Sequence, residues 1–458
     1  MLEAGYWNGF RLQLEDGAAL WQSTMTAAEG DVVSGMHDAR RVVVTGIGVV
    51  APGGAGTKQF WELLTAGRTA TRTISLFDAT PFRSRVAAEC DFNPISAGLT
   101  QQQIRKWDRT TQFAVVAARE ALADSGVSGE LDPLRTGVMV GTACGMTISL
   151  DREYAVVSDE GRSWLVDERH GVPYLYDYFV PSSMSAEIAW LVEAQGPVGI
   201  VSTGCTSGID AVSHAVDIIR DGEADVMVAG ASDAAISPIT VACFDAIKAT
   251  TPRNDEPESA SRPFDRTRNG FALGEGAALF VLEDWEHAKR RDAHAYAEVA
   301  GSASRCNAFT MTGLRPDGRE LAEAIRSSMR QARINPGDID YINAHGSATK
   351  QNDLHETGAY KLSLGQHAYS TPISSIKSMI GHSLGAVCAL EFAACALSIE
   401  HSMIPPTANL NEPDPLCDLD YVPLVAREQP VDVALSVASG FGGFQSAILL
   451  NKPGWRVL

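Results

Sequence analysis

Residues 197–229 read PVGIVSTGCTSGIDAVSHAVDIIRDGEADVMVA. Pro197–Ser202 is a short apolar run of strand character. From Cys205 to Arg220 the apolar residues recur at helical spacing, and Ala224–Ala229 is again a strand. The stretch is a strand–turn–helix–strand unit with a cysteine at the turn. Gly204 permits a sharp turn, and Cys205 opens the helix. A helix N-terminus carries partial positive charge and free N–H groups, and both favour thiolate over thiol. Cys205 is thus the candidate nucleophile. The competing reading is a buried structural cysteine; the strand-end position between Gly204 and Gly208 weighs against it.

The same alternation continues on both sides. Upstream, Arg41–Val50 and Thr136–Gly141 read as strands, and Gln112–Ser125 as a helix stopped by Gly126. Downstream, Glu275–Leu282 is a strand, and Ala297–Ser302 begins a second patterned half. There Gly318–Arg333 is a helix, Ile339–Ile342 a strand leading to His345, and Thr371–Ser375 another strand. A helix from about His382 to Glu400 and a strand at Ala434–Val437 follow. Strands alternating with helices predict an α/β fold with largely parallel sheets buried on both faces. Both halves place a reactive residue at a strand–helix turn, which points to pseudo-duplication. Residues 1–35 show no clear period and are expected to be a leader outside the core, with Met36 an alternative start.

Composition narrows the function. The 458 residues are 45% hydrophobic and 20% charged, which is ordinary globular usage. A net charge of −19 argues against nucleic acid as the main partner. Eight scattered cysteines without a C-x-x-C pair make neither a disulfide framework nor a zinc site. No apolar run reaches the roughly 18 residues of a membrane span, and the first residues lack a signal-peptide pattern. The expectation is a soluble, cytoplasmic protein in a reducing compartment, with no membrane partner.

Two histidines share the cysteine's setting. His345 (YINAHGSAT) lies at a strand end before Gly346, and His382 (SSIKSMIGHSLGA) lies between a strand and a helix. Lys377 precedes His382 by five positions; a surface lysine is the alternative reading, but its apolar neighbours Ile376, Met379 and Ile380 suggest burial. Near the end, VASGFGGFQS supplies a glycine-rich loop whose N–H groups, with that of Cys205, suit an oxyanion hole; a plain tight turn is the alternative.

Taken together, TGCTSG, RPFDRTRNGFALGEG (Arg262–Gly276), AHGSAT, KSMIGHSLGA and GFGG resemble the β-ketoacyl synthases of the thiolase superfamily, from Arg41 to about Leu450. Two histidines resemble the decarboxylating elongation type; initiating synthases pair one histidine with an asparagine. Thiolases carry a second cysteine in the last glycine loop, where this chain has Ser439. STGCTSGIDAV, ISPITVACFDAIKATTPRND, NAHGSATKQNDLHET and PPTANLNEPDPLCDLDYVPL look most like the ketosynthase α subunit of bacterial type II aromatic polyketide synthases.

The resemblance implies a thiolase-like α-β-α-β-α sandwich of two pseudo-duplicated halves, residues 36–285 with the cysteine and 286–458 with the histidines. It implies decarboxylative condensation of malonyl-acyl-carrier-protein onto an acyl or polyketide chain on Cys205. His345 and His382 would stabilise the enolate, and the N–H groups of Cys205 and Phe441 the oxyanion. Lys377 would set the electrostatics with Glu391. Asp353 and Glu356 would support the histidine loop, and Phe441 would gate access. No metal or redox cofactor is implied, because phosphopantetheine arrives on the carrier. The implied partners are an acyl carrier protein, malonyl and acyl thioesters, and a homologous chain-length-factor subunit lacking the cysteine. The alternatives are a homodimeric fatty-acid elongation enzyme and a non-catalytic chain-length-setting subunit; the presence of Cys205 speaks against the latter. Two positions depart from the family: Ala348 stands where AHGSGT has glycine, and Thr310 stands where a histidine is usual.

Overall fold

The computed structural model describes residues 40–455 apart from 128, 130, 164 and 165. The expected leader at residues 1–35 and the alternative start at Met36 lie outside the described residues. The first half contains β1 (Val42–Ala51), α1 (Arg109–Ser125), β2 (Thr136–Gly141), β3 (Val198–Val201), α2 (Ser207–Arg220), β4 (Val226–Asp233) and β5 (Gly276–Asp284). The second contains β6 (Ala297–Cys306), α3 (Arg319–Ala332), β7 (Tyr341–Asn343), α4 (Lys350–Leu364), β8 (Ile373–Ser374), α5 (Val387–His401), β9 (Val433–Gly440) and β10 (Phe444–Asn451).

The strands repeat one pattern. In space the first half runs β3-β2-β4-β5-β1 and the second β8-β7-β9-β10-β6, the same order in chain terms. The halves meet where Val43 and Val44 of β1 pair with Glu298 and Ala297 of β6. The strand pairing corrects the expectation of largely parallel sheets. β2 pairs in parallel with β3 and β4, and β7 with β8 and β9. β4–β5, β5–β1, β9–β10, β10–β6 and β1–β6 are all antiparallel. Each half ends on a strand that folds back beside its own first strand, and such a return needs no crossover helix.

Helices fill three layers. α1 covers β1 and β5 on one outside, and α3 covers β6 and β10 on the other. Between the sheet halves lie α2 and α5, packed on each other. Their closeness depends on Gly208: a Cβ there would lie 2.8 Å from the Ala389 nitrogen. This is the α-β-α-β-α sandwich. The window Leu384–His401 is long and apolar enough to cross a membrane, but 89% of it is buried in the protein, so it is the core helix of this middle layer.

Local chemistry moves several boundaries. α1 starts at Arg109 because the Asp108 carboxylate caps it, accepting from the Thr110 N–H at 2.8 Å. β4 continues past Ala229 to Asp233 because Gly230, at φ 147°, lets the strand pass Ala278, whose carbonyl would lie 2.1 Å from a Cβ. β10 was not expected from the sequence.

Candidate active site

The third strand of each half leads into a buried turn, and the two turns meet where α2 and α5 touch. Cys205 lies in a single 3-10 turn, Gly204–Thr206, and α2 proper begins at Ser207. Gly204 sits at φ 63°, a left-handed conformation suited to glycine. The Ser207 hydroxyl accepts from the Thr203 N–H at 3.0 Å and donates to the Gly204 carbonyl at 2.6 Å, so the turn is tied at both ends.

His345 follows β7. Its N–H and that of Gly346 donate to the two oxygens of Glu356, at 2.6 and 2.8 Å. The Tyr360 hydroxyl (2.6 Å) and the Asn352 amide (3.2 Å) hold the same carboxylate. His382 lies outside α5, contrary to expectation. It bridges to Leu273, donating its N–H to the Ala272 carbonyl (2.8 Å) and accepting from the Gly274 N–H (2.9 Å). The motif Arg262–Gly276 thus frames His382, and its Phe271 ring lies 5.0 Å from the imidazole.

The tautomers follow from the donors. The Leu384 N–H donates to Nδ1 of His382 at 3.1 Å. The Lys377 ammonium, a donor only, lies 3.3 Å from Nδ1 of His345. Both rings therefore accept at Nδ1 and carry their proton on Nε2. Burial, reinforced by the Lys377 charge, holds both well below the ordinary histidine range, so both are neutral. The ring centroids are 5.3 Å apart, edge to face.

Lys377 is 1% exposed and is ion-paired with the buried Glu391. Burial holds the Glu391 carboxyl above the usual carboxylate range, and the ammonium in contact with it offsets only part of that rise. Glu356 touches the histidine loop directly, whereas Asp353 does not. The Asp353 carboxylate accepts from the Phe264 N–H at 2.8 Å and pairs with the buried Arg268 guanidinium at 3.0 Å, pinning the framing motif instead.

Cys205 corrects the expectation of a ready thiolate. Burial pushes its thiol up to about 12, against the Lys377 charge and a hydrogen bond from the Phe441 N–H. The Lys377 charge and the Phe441 N–H do not offset the loss of water, so the resting group is a thiol. Phe441 lies in the loop between β9 and β10, where Gly442 and Gly443 have φ near 90°. Its ring lies 6.2 Å from that of Phe244.

A cavity of about 500 Å³ joins these groups. Cys205, His345, His382, Ser439 and Phe441 line its inner part, and exposed Lys248, Thr312 and Lys350 its rim. Sequence reasoning missed Phe244, Phe271 and Leu384 in this wall; the Arg262–Gly276 motif was a signal for Phe271. Ala348 does adopt the left-handed region, at φ 64°, fully buried. Thr310 is exposed and accepts from the Gly313 N–H at 2.8 Å, so this departure shapes the rim loop and lies outside the cavity wall.

A buried thiol that shares one cavity with two imidazole N–H donors defines a thioester-condensing acyltransferase. Comparison bears this out: the chain matches the Beta-ketoacyl synthase N-terminal domain over residues 39–288 and the Beta-ketoacyl synthase C-terminal domain over 296–411. It is 78% identical to the oxytetracycline polyketide putative beta-ketoacyl synthase 1 of Streptomyces rimosus, over 92% of this chain and 99% of that one. It is 66% identical to the tetracenomycin ketoacyl synthase alpha subunit of Streptomyces glaucescens, over 91% and 98%. With the 3-oxoacyl-[acyl-carrier-protein] synthase 2 of Coxiella burnetii the identity is 40%, over 90% and 99%. A solved type II polyketide ketosynthase, in complex with its acyl carrier protein and bound to the hexaketide, superposes with a TM-score of 0.85 at 37% identity, covering 90% of this chain and 99% of that one. The ishigamide ketosynthase/chain length factor gives 0.82 at 34%, covering 90% and 99%. The chain belongs to the beta-ketoacyl synthase family, among the ketosynthase alpha subunits of type II polyketide synthases.

Proposed function

We propose that Cys205 carries the growing chain and that His345 and His382 drive decarboxylation of a malonyl thioester beside it. The observation that carries this reading is the pair of neutral rings, each accepting at Nδ1 and so presenting an Nε2–H. The Cys205 sulfur attacks the acyl thioester, and its proton ends on the departing pantetheine sulfur. The N–H groups of Cys205 and Phe441 stabilise the tetrahedral oxyanion. Malonyl carrier then enters, and the Nε2–H groups bind its thioester oxygen. Cleavage of the carboxyl bond releases CO₂ and leaves an enolate held by those donors. The enolate carbon attacks the acyl-Cys205 carbonyl, the carbon–sulfur bond breaks, and the thiolate takes a proton. The chain, two carbons longer, now rides on the carrier. No step uses a metal or redox cofactor.

Lys377 and Glu391 keep His345 in its tautomer, Glu356 and Asp353 support the surrounding loops, and Phe441 gates the acyl and malonyl sides. The partners in this reading are an acyl carrier protein and a homologous chain-length-factor subunit, acting in the cytoplasm. The solved neighbours, a carrier-bound ketosynthase and a ketosynthase/chain length factor, support it. The domain reading, 36–285 and 286–458, is supported by the repeated strand order. A poly-β-ketone exposed to water cyclises or hydrolyses early, and a dimer interface between two such subunits supplies the enclosure. The test is expression alone and with a cysteine-lacking homologue, then mass analysis of products from malonyl carrier. Full-length polyketide from this chain alone would overturn the heterodimer and favour the fatty-acid-like homodimer.

A further inference from the structure

Asp233 ends β4, fully buried, and does not line the cavity. Its Oδ1 accepts from the Thr142 hydroxyl at 2.7 Å and the Cys144 N–H at 3.0 Å. Its Oδ2 accepts from the Ala143 N–H and the Gly385 N–H, both at 2.8 Å. One carboxylate thus clamps two loops. The first follows β2, and its Thr142 carbonyl lies 3.3 Å from the Ser207 hydroxyl that ties the Cys205 turn. The second follows His382. Leu384, whose N–H fixes the His382 tautomer, sits at φ 49°, a conformation leucine keeps only when its surroundings hold it. The fit at Gly385 is close: a Cβ there would lie 2.6 Å from both Asp233 Oδ2 and the Ala143 nitrogen.

We infer that Asp233 is a positioning residue for the condensation. By holding the Gly385 N–H it keeps the Leu384 N–H on Nδ1 of His382, which leaves that ring's proton on Nε2 for the thioester oxygen. The inference rests on the reading of His382 as a donor to that oxygen. Asp233→Asn keeps the shape but turns an amide NH₂ toward N–H donors. Gly385→Ala disturbs the same clamp from the other side, and Asp233→Glu tests rescue by the carboxylate.

The experiment uses the full chain with its partner subunit and malonyl carrier. It measures CO₂ release, Cys205 alkylation by iodoacetamide, and the ring ¹⁵N resonances of ¹⁵N-histidine-labelled protein. In Asp233→Asn and Gly385→Ala, kcat for CO₂ release is expected to fall at least tenfold, with KM within about threefold and alkylation no more than about threefold slower; in Asp233→Asn it speeds up if anything, because the Asp233 charge raises the Cys205 thiol. The His382 ring is expected to leave the Nε2–H pattern, and Asp233→Glu to regain part of the rate. An unchanged His382 tautomer would overturn the inference. So would parallel loss of alkylation and CO₂ release, which would make Asp233 a support of the fold only. A changed tautomer with undiminished CO₂ release would instead remove His382 from the chemistry, and with it the positioning role of Asp233.

Discussion

Glu391→Gln should destabilise the protein by about 3–5 kcal/mol, the cost of leaving one partner of a buried ion pair alone. The Lys377 and Glu391 side chains are 1% and 0% exposed, so water does not replace the lost charge. At an effective dielectric near 20, unit charges roughly 3 Å apart attract by about 5 kcal/mol, which sets the same scale. Glutamine keeps the carboxylate's shape, so the loss reports the charge and not a cavity. Lys377→Met should cost less, about 1–3 kcal/mol, because burial already pushes Glu391 up and the orphaned carboxyl takes a proton. The double variant removes both charges and should recover at least about 2 kcal/mol relative to the sum of the singles. Urea unfolding followed by tryptophan fluorescence measures all three. CO₂ release should fail in Lys377→Met and stay lost in the double variant, because Nδ1 of His345 has no ammonium donor in either. Single-variant losses below about 1 kcal/mol, or losses that simply add, would refute the buried-pair argument.

Two further outcomes are expected. Ala348→Gly should raise stability by about 0.5–1 kcal/mol, since it relieves a buried left-handed alanine at φ 64°; a thermal midpoint that falls would show no strain there. Burial raises the Glu283 carboxyl, but His287, Arg291 and Thr45 bonded to it outweigh that and bring it to about 2 from about 4.5. A depressed acid contributes stability above its unfolded value that is lost as pH falls through its folded one. Glu283→Gln should therefore flatten the acid limb of stability between about pH 4.5 and 2, and an unchanged limb would contradict the pairing.

What the sequence disclosed was local. The strand–turn–helix around Cys205 needs only neighbouring residues, and the glycines beside His345 and His382 mark their turns without any tertiary knowledge. The apolar neighbours of Lys377 foretold its burial, but its contact with Nδ1 of His345 spans 32 positions and comes only from packing. Strand direction was hidden for the same reason: β4 and β5 pair antiparallel because a distant strand returns to close each half. Asp233 was overlooked because Gly230 interrupts the apolar run that would have carried β4 to it. The thiol's acidity was misjudged because a helix terminus is visible in sequence, while the segments of the second half that pack on the Cys205 turn and bury it are not.

The central claim is that bond making and decarboxylation belong to different residues in one cavity. It is tested most directly by Cys205→Ala with its partner subunit, supplied with malonyl carrier, recording CO₂ and elongated product together. Continued CO₂ release with no acyl-enzyme and no elongated chain is expected, because His345 and His382 hold the enolate without the thiol. Elongated product from the alanine variant would contradict the assignment of Cys205, and loss of CO₂ release from a folded variant would contradict the independence of the histidine pair.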